Sequence, residues 1–165
     1  MEKSQYQRET RECSFTDLQP ELVSAIKEYV QERELEDVET ELLICCETTS
    51  VRPERGAMAK LKARLLGTFD PAPDHVHHTG IIVTPRLLIW GTSGEKQGTT
   101  ILSARLSMIE VTDYKPELID DSGINIFGEI GRFPERASMF IGLGKDSAAE
   151  RLKDVLRQAV KKART

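Results

Sequence analysis

The sequence predicts a mainly β (α+β) fold, an antiparallel barrel of about seven strands whose open end is capped by a C-terminal helix. Two apolar runs, residues 81–83 and 87–90, flank a short segment around Pro85, which is typical of a tight reversal between antiparallel strands. Further strand-like runs follow without a long helix between them, which favours meander pairing. The chain then ends in an amphipathic helix.

Composition restricts the function classes. The chain has 165 residues, 39% of them hydrophobic and 30% charged, which suits one compact domain. Its formal net charge of −4 argues against nucleic-acid binding. No run approaches the roughly 20 apolar residues of a transmembrane segment, and the polar amino terminus lacks the apolar part of an export signal. The three cysteines, with Cys45 and Cys46 adjacent, favour reduced thiols and hence a cytoplasmic protein.

Three regions follow one another along the chain. Residues 1–15 are polar, and we expect a disordered tail. Residues 16–35 form an N-terminal helical extension in this interpretation. Residues 36–165 make up the main domain, which contains every strand-like run.

The extension has the periodicity of an amphipathic helix over about residues 17–33. Leu22, Ile26 and Val30 recur every fourth residue, and Thr16 begins a capping-box pattern. Such an apolar stripe has to be buried against the main domain or against a second protomer. We therefore take these three side chains as a candidate interface.

The strands of the main domain are read from apolar runs and from period-two alternation. Residues 42–46 are predicted to form a buried strand. Residues 60–65 alternate in the manner of a half-exposed strand, although a helix is the competing interpretation for this second range. Residues 91–98 are expected to be a loose loop. The remaining strands are predicted at residues 100–106 and 108–111, with a break near Ser107, and at 124–130 and 138–143.

The final helix has the clearest signals. Ser147 and Glu150 form a second capping box, and basic residues fill the last turn, where the helix dipole favours cations. Leu152, Val155 and Leu156 lie on its apolar stripe. We expect this stripe to pack on the sheet.

The order of elements resembles the pleckstrin-homology (PH) superfold, specifically its bacterial PH-like and GRAM-like members. The similarity is carried by residues 80–90, 100–110 and 140–144, and it covers about residues 38–164. The resemblance implies a barrel plugged by its last helix that recruits proteins or lipids through loops and edge strands. It therefore implies a non-enzymatic interaction module without a cofactor, which mediates protein–protein assembly and self-associates as a homo-oligomer.

A basic stretch offers an alternative function. Lys60, Lys62 and Arg64 occupy alternate positions, so a strand would place them about 7 Å apart on one face, with Arg55 nearby. Together with Arg55 they resemble the basic pattern with which some PH domains hold anionic lipid head groups. Solvated strand faces often carry such cations without a ligand, which is the commoner explanation.

A histidine cluster offers a second alternative. His75 and His77 share one face of an extended segment, and imidazoles at this spacing hold zinc or nickel. A structural site usually needs four protein ligands, and only Asp74 or a distant cysteine could complete this one. Surface histidines are the simpler interpretation. No motif has the geometry of a catalytic site, so we expect no enzyme activity.

Overall fold

The computed structural model describes residues 6–52, 65, 74–115 and 121–165. Within them two antiparallel sheets, with strand orders β1-β2-β3-β4-β5 and β6-β7-β8, accompany two helices, which confirms the mainly β class. No backbone pairing among these residues joins the two sheets, so the prediction of a closed barrel was wrong. The elements are β1 (Gln7–Glu12), α1 (Pro20–Glu32), β2 (Ile44–Val51), β3 (Val76–Val83), β4 (Leu87–Gly94), β5 (Gly98–Arg105), β6 (Ile109–Asp113), β7 (Gly123–Gly128), β8 (Ala137–Gly142) and α2 (Ser147–Ala163).

The β3–β4 hairpin has the predicted reversal. The Thr84 amide donates to the Leu87 carbonyl at 2.9 Å, and the Thr84 hydroxyl accepts from the Leu87 amide at 3.0 Å. Pro85 lies in the turn, where its missing amide donor costs nothing. The local sequence therefore determines this hairpin.

The β4–β5 hairpin is tighter than the loose loop expected over residues 91–98. Gly94 and Gly98 pair directly, and Gly98 has a φ of 71°, a conformation that glycine adopts without strain. The Asp74 carboxylate accepts from the amides of Lys96 at 2.7 Å and Gln97 at 3.0 Å. These bonds hold the pKa of Asp74 below its usual value. A carboxylate from outside the hairpin thus orders a polar segment that looked irregular.

The chain passes from the larger sheet to the smaller one at Leu106–Met108, a short 3₁₀ turn. Its first amide, that of Leu106, donates to the Arg86 carbonyl at 2.8 Å. The predicted break near Ser107 is therefore confirmed, and β7 and β8 lie close to their predicted ranges.

Helix α2 packs against both sheets, as its stripe predicted. Leu152 and Leu156 have no exposed area and join the core between the sheets. Burial of each such side chain contributes roughly 1.5–3 kcal/mol. The N-cap is Asp146, whose carboxylate accepts from the Ala149 amide at 3.0 Å, rather than the predicted Ser147. Both residue types cap well, so the pattern placed the cap one residue late.

Helix α1 covers the outer face of the larger sheet and forms a second core there. Leu22 and Ile26 are fully buried among the side chains of Cys45, Ile82 and Ile89. This burial explains why a helix whose other face is charged is held on the sheet.

The start of α1 differs from the prediction. The helix begins at Pro20 with Gln19 as N-cap, whereas Thr16 lies in a separate 3₁₀ turn, Phe15–Asp17. Proline at the first helical position lacks only an amide that would have no partner within the helix. The capping-box pattern at Thr16 was therefore misleading.

The predicted disordered tail, residues 1–15, contains strand β1. It pairs with β2 from Gln7↔Val51 to Glu12↔Cys46. The strand was missed because its residues are mostly polar and show no apolar alternation. Charged side chains of this strand pair with residues that are distant in the sequence. The strand predicted at residues 60–65 lies outside the described residues except for Leu65, which is helical and 78% exposed, contrary to the prediction.

Candidate functional site

The predicted site residues lie in different places. Arg55, Lys60, Lys62 and Arg64 are outside the described residues, so the basic surface stays a prediction. His75 is exposed and directly precedes β3.

The side chain of His77 is half-buried near the inner face of the larger sheet. Its ring meets the Tyr6 ring edge-on at 4.9 Å. Burial, and next the charge of Arg8, lower the pKa of His77, so its ring is neutral at pH 7. No set of three His, Cys, Asp or Glu side chains in the described part of the chain has metal-binding geometry.

The candidate interface of α1 faces its own sheet. Leu22 and Ile26 have no exposed area, so neither is accessible to a partner in this conformation. Val30 is half-buried and lines a groove of about 320 Å³ beside Phe15 and Val38. The stripe therefore serves mainly to hold α1.

Cys45 and Cys46 lack the environment of a catalytic nucleophile. Burial is the main reason that the pKa of Cys46 is raised to about 12, and burial also raises the pKa of Cys45. A catalytic cysteine needs a populated thiolate and access to solvent. Both residues act as core side chains.

A row of five threonines crosses the larger sheet, and sequence analysis missed it. Strand register places one on each strand of the sheet, all on the inner face: Thr10, Thr48, Thr79, Thr92 and Thr100. The hydroxyls of Thr10 and Thr48 lie 2.7 Å apart and hydrogen-bond each other. The hydroxyls of the other three have no hydrogen-bond partner among the described residues. Each lies in a separate strand, so only the pairing register reveals the row.

These three threonines line an opening between the sheets, here called the inter-sheet cleft. It has a volume of about 260 Å³, and its other walls include Trp90, Leu102 and the β8 segment from Met139 to Gly142. None of the described residues that line it carries a carboxylate. The cleft runs along the edge of β8, where the two sheets separate.

The side chain of Arg8 lies between β1 and β8, at a boundary that is here called the seam. Its Nε and Nη2 donate to the two carboxylate oxygens of Asp121, each at 3.0 Å, and Nη1 donates to the Ser50 hydroxyl at 2.6 Å. Only 8% of its side chain is exposed, and the guanidinium lies 5.7 Å from the centre of the Phe140 ring. The bidentate pair with Asp121 and the bond to Ser50 together use three of the five guanidinium donors, so Arg8 acts as a clamp rather than as an anion receptor.

Strand β8 differs from the other edge strands of the described sheets. Its sequence, ASMFIG, carries no charge, whereas β1, β5 and β6 each contain charged residues. Within the described chain its backbone bonds only to β7, so one side of the strand has no backbone partner. The outer face of the smaller sheet also carries partly exposed aromatic rings: Phe127 is 43% exposed and Phe140 is 40% exposed. Natural proteins usually protect such edges with charge or cover.

No family model matches this chain. No curated protein is detectably similar to it. Neither of the two described helices combines the length and apolarity that a membrane-spanning helix requires. The described residues offer an unprotected strand edge beside a hydroxyl-lined cleft, an arrangement suited to recognition by backbone hydrogen bonds.

Proposed function

We propose that this chain is a non-catalytic, PH-like interaction module that mediates protein–protein assembly by accepting an extended segment of its partner at β8. The single observation that carries the proposal is the uncharged edge of β8, whose outer backbone groups have no partner within the described chain. Exposed N–H and C=O groups in a regular row are a template for another strand.

The surroundings of β8 would supply specificity. Alternate side chains of an added strand point to opposite faces. On one face they would meet Ser138 and the partly exposed Phe140. On the other they would approach Met139 and the threonine hydroxyls of the inter-sheet cleft. Aromatic contact and hydrogen bonding to hydroxyls would then discriminate among partner sequences.

The order of elements supports the PH-like part of the proposal. Seven strands, β2 to β8, precede the terminal helix, as the resemblance implies. Strand β1 and helix α1 are additions before this set, and both pack on the larger sheet. Arg8 of β1 lies against the Gly142 end of β8, and the rest of the β8 edge has no backbone partner among the described residues.

Lysine substitutions on matched positions test the proposal. Ser138→Lys places a charge on β8, while Thr112→Lys places it on β6, on the same outer face. Both positions are exposed, so neither change should disturb folding. Affinity capture from the native host should retain a partner on wild type and on Thr112→Lys, with at least a tenfold loss of affinity for Ser138→Lys.

Light scattering distinguishes the source of the added strand. Self-association abolished by Ser138→Lys alone would identify the partner as a second copy of the chain. A partner whose affinity is unchanged by Ser138→Lys, or lost equally with Thr112→Lys, would contradict binding at β8.

A further inference from the structure

Cys13 lies directly opposite Cys45. The β1–β2 register ends at Glu12↔Cys46, and the next amide, that of Cys13, donates to the Cys45 carbonyl at 3.0 Å. Directly opposed residues of antiparallel strands have Cα atoms about 4.5–5.5 Å apart, which falls within the roughly 4.4–6.8 Å that disulfides span. The backbone is therefore already placed for a bridge.

The two side chains also share one face of the sheet. Cys45 is buried in the core beneath α1, and Cys13 packs against that core. Cys46 is adjacent in sequence but belongs to the other core, between the sheets. Neighbouring residues of a strand point to opposite faces, so Cys46 has no access to this pair.

We propose that Cys13 and Cys45 form a redox modification site that becomes an intramolecular disulfide by exchange with a low-molecular-weight disulfide such as oxidised glutathione. This site is independent of the β8 interface. Cys13 is half-buried and Cys45 is 1% exposed, so Cys13 meets the oxidant first.

The exchange has two balanced steps. The Cys13 thiol loses its proton, and its sulfur attacks one sulfur of oxidised glutathione. A mixed disulfide forms, the S–S bond of oxidised glutathione breaks, and one reduced glutathione is released. The Cys45 thiol then loses its proton and attacks the Cys13 sulfur, which releases the second reduced glutathione. Two protein thiols are oxidised and one glutathione disulfide is reduced to two thiols.

The bond would fix α1 in place. Cys13 precedes the helix and Cys45 follows it, so the bridge closes a loop that contains all of α1. Closing such a loop restricts the unfolded chain more than the folded one. We expect the oxidised protein to resist proteolysis within α1, and a reductant to reverse this resistance.

Three forms of the full chain test the proposal: wild type, Cys46→Ala and Cys45→Ala. After excess oxidised glutathione at mildly alkaline pH, wild type and Cys46→Ala should each lose two hydrogen atoms by intact mass and retain no glutathione. Cys45→Ala should retain one glutathione, mapped to Cys13. Burial raises the pKa of Cys13, so the reaction should accelerate as pH rises.

Peptide mapping of the wild type decides the outcome even where a variant folds poorly. A peptide joining Cys13 to Cys45 supports the proposal. Glutathione retained on folded wild type, a bond that includes Cys46, or unchanged thiols under conditions that oxidise the denatured chain would each overturn it.

Discussion

Strands β1 and β8 border the same seam, yet they are built in opposite ways. β1 reads QRETRE and is charged at four of its six positions, whereas β8 reads ASMFIG and has no charge. The polar strand is nevertheless the one bonded across the seam, while the apolar strand keeps a free edge within the described chain. The polarity of a strand's sequence therefore does not show how well the strand is bonded to the rest of the fold.

Strand β1 is attached to residues that are distant in the sequence. Arg8 clamps Asp121, and the Thr10 amide donates to the Asp146 carboxylate at 2.7 Å. Arg11 pairs at 3.0 Å with Glu47, a carboxylate that is 2% exposed and also accepts from the α1 N-cap amide. Paired charges of this kind specify the register of β1, whereas the register of β8 depends on its pairing with β7.

Arg8→Met should have the largest effect on stability. It leaves the Asp121 carboxylate, which is 17% exposed, without its partner, and breaking such a pair costs about 3 kcal/mol. Urea denaturation measures the free energy of unfolding. Arg105→Met is the control, because its ion pair with Glu129 is exposed and contributes less than about 0.5 kcal/mol. Equal losses would show that β1 is not clamped as described.

Asp146→Ala should come next, at about 2 kcal/mol. Its carboxylate caps α2 through Ala149 and also accepts from the Thr10 amide, so two donors lose their partner together. Ser147→Ala, one residue along, should change the free energy of unfolding by less than about 0.5 kcal/mol. A larger loss for Ser147→Ala would show that Ser147 is the N-cap, as the sequence pattern predicted.

His77 should make a smaller contribution that depends on pH. Its folded-state pKa lies below the unfolded value, so the unfolded chain binds protons more tightly and stability falls as pH drops below about 6.5. His77→Gln should flatten the stability profile of the wild type between about pH 7 and 5. NMR titration of the ring checks the sign: a pKa above the usual histidine value would contradict burial as its main cause.

Ser138→Lys should have the smallest effect on stability, within about 0.5 kcal/mol, because the side chain is exposed on an edge strand. The same substitution at Thr10, which is 4% exposed, should prevent β1 from docking. Thermal unfolding compares the two variants. Similar losses at both positions would remove the distinction between the strands.

Local patterns explain the elements that the sequence predicted well. The β3–β4 reversal, the break near Ser107 and the stripe of α2 each depend on residues within one turn or one helix. Helix α1 was also found from its periodicity, but its start was misplaced because Thr16 has a capping pattern while the helix begins at Pro20 behind Gln19, which makes no side-chain cap bond.

By itself, the sequence determined the mainly β class, the antiparallel order and the terminal helix, because apolar periodicity acts over short distances. Only the tertiary structure decided that residues 7–12 form a strand and that five threonines share one row. It also placed the free edge at β8. These features depend on partners such as Arg8 and Asp121, which are 113 positions apart, and local periodicity carries no information about such pairs.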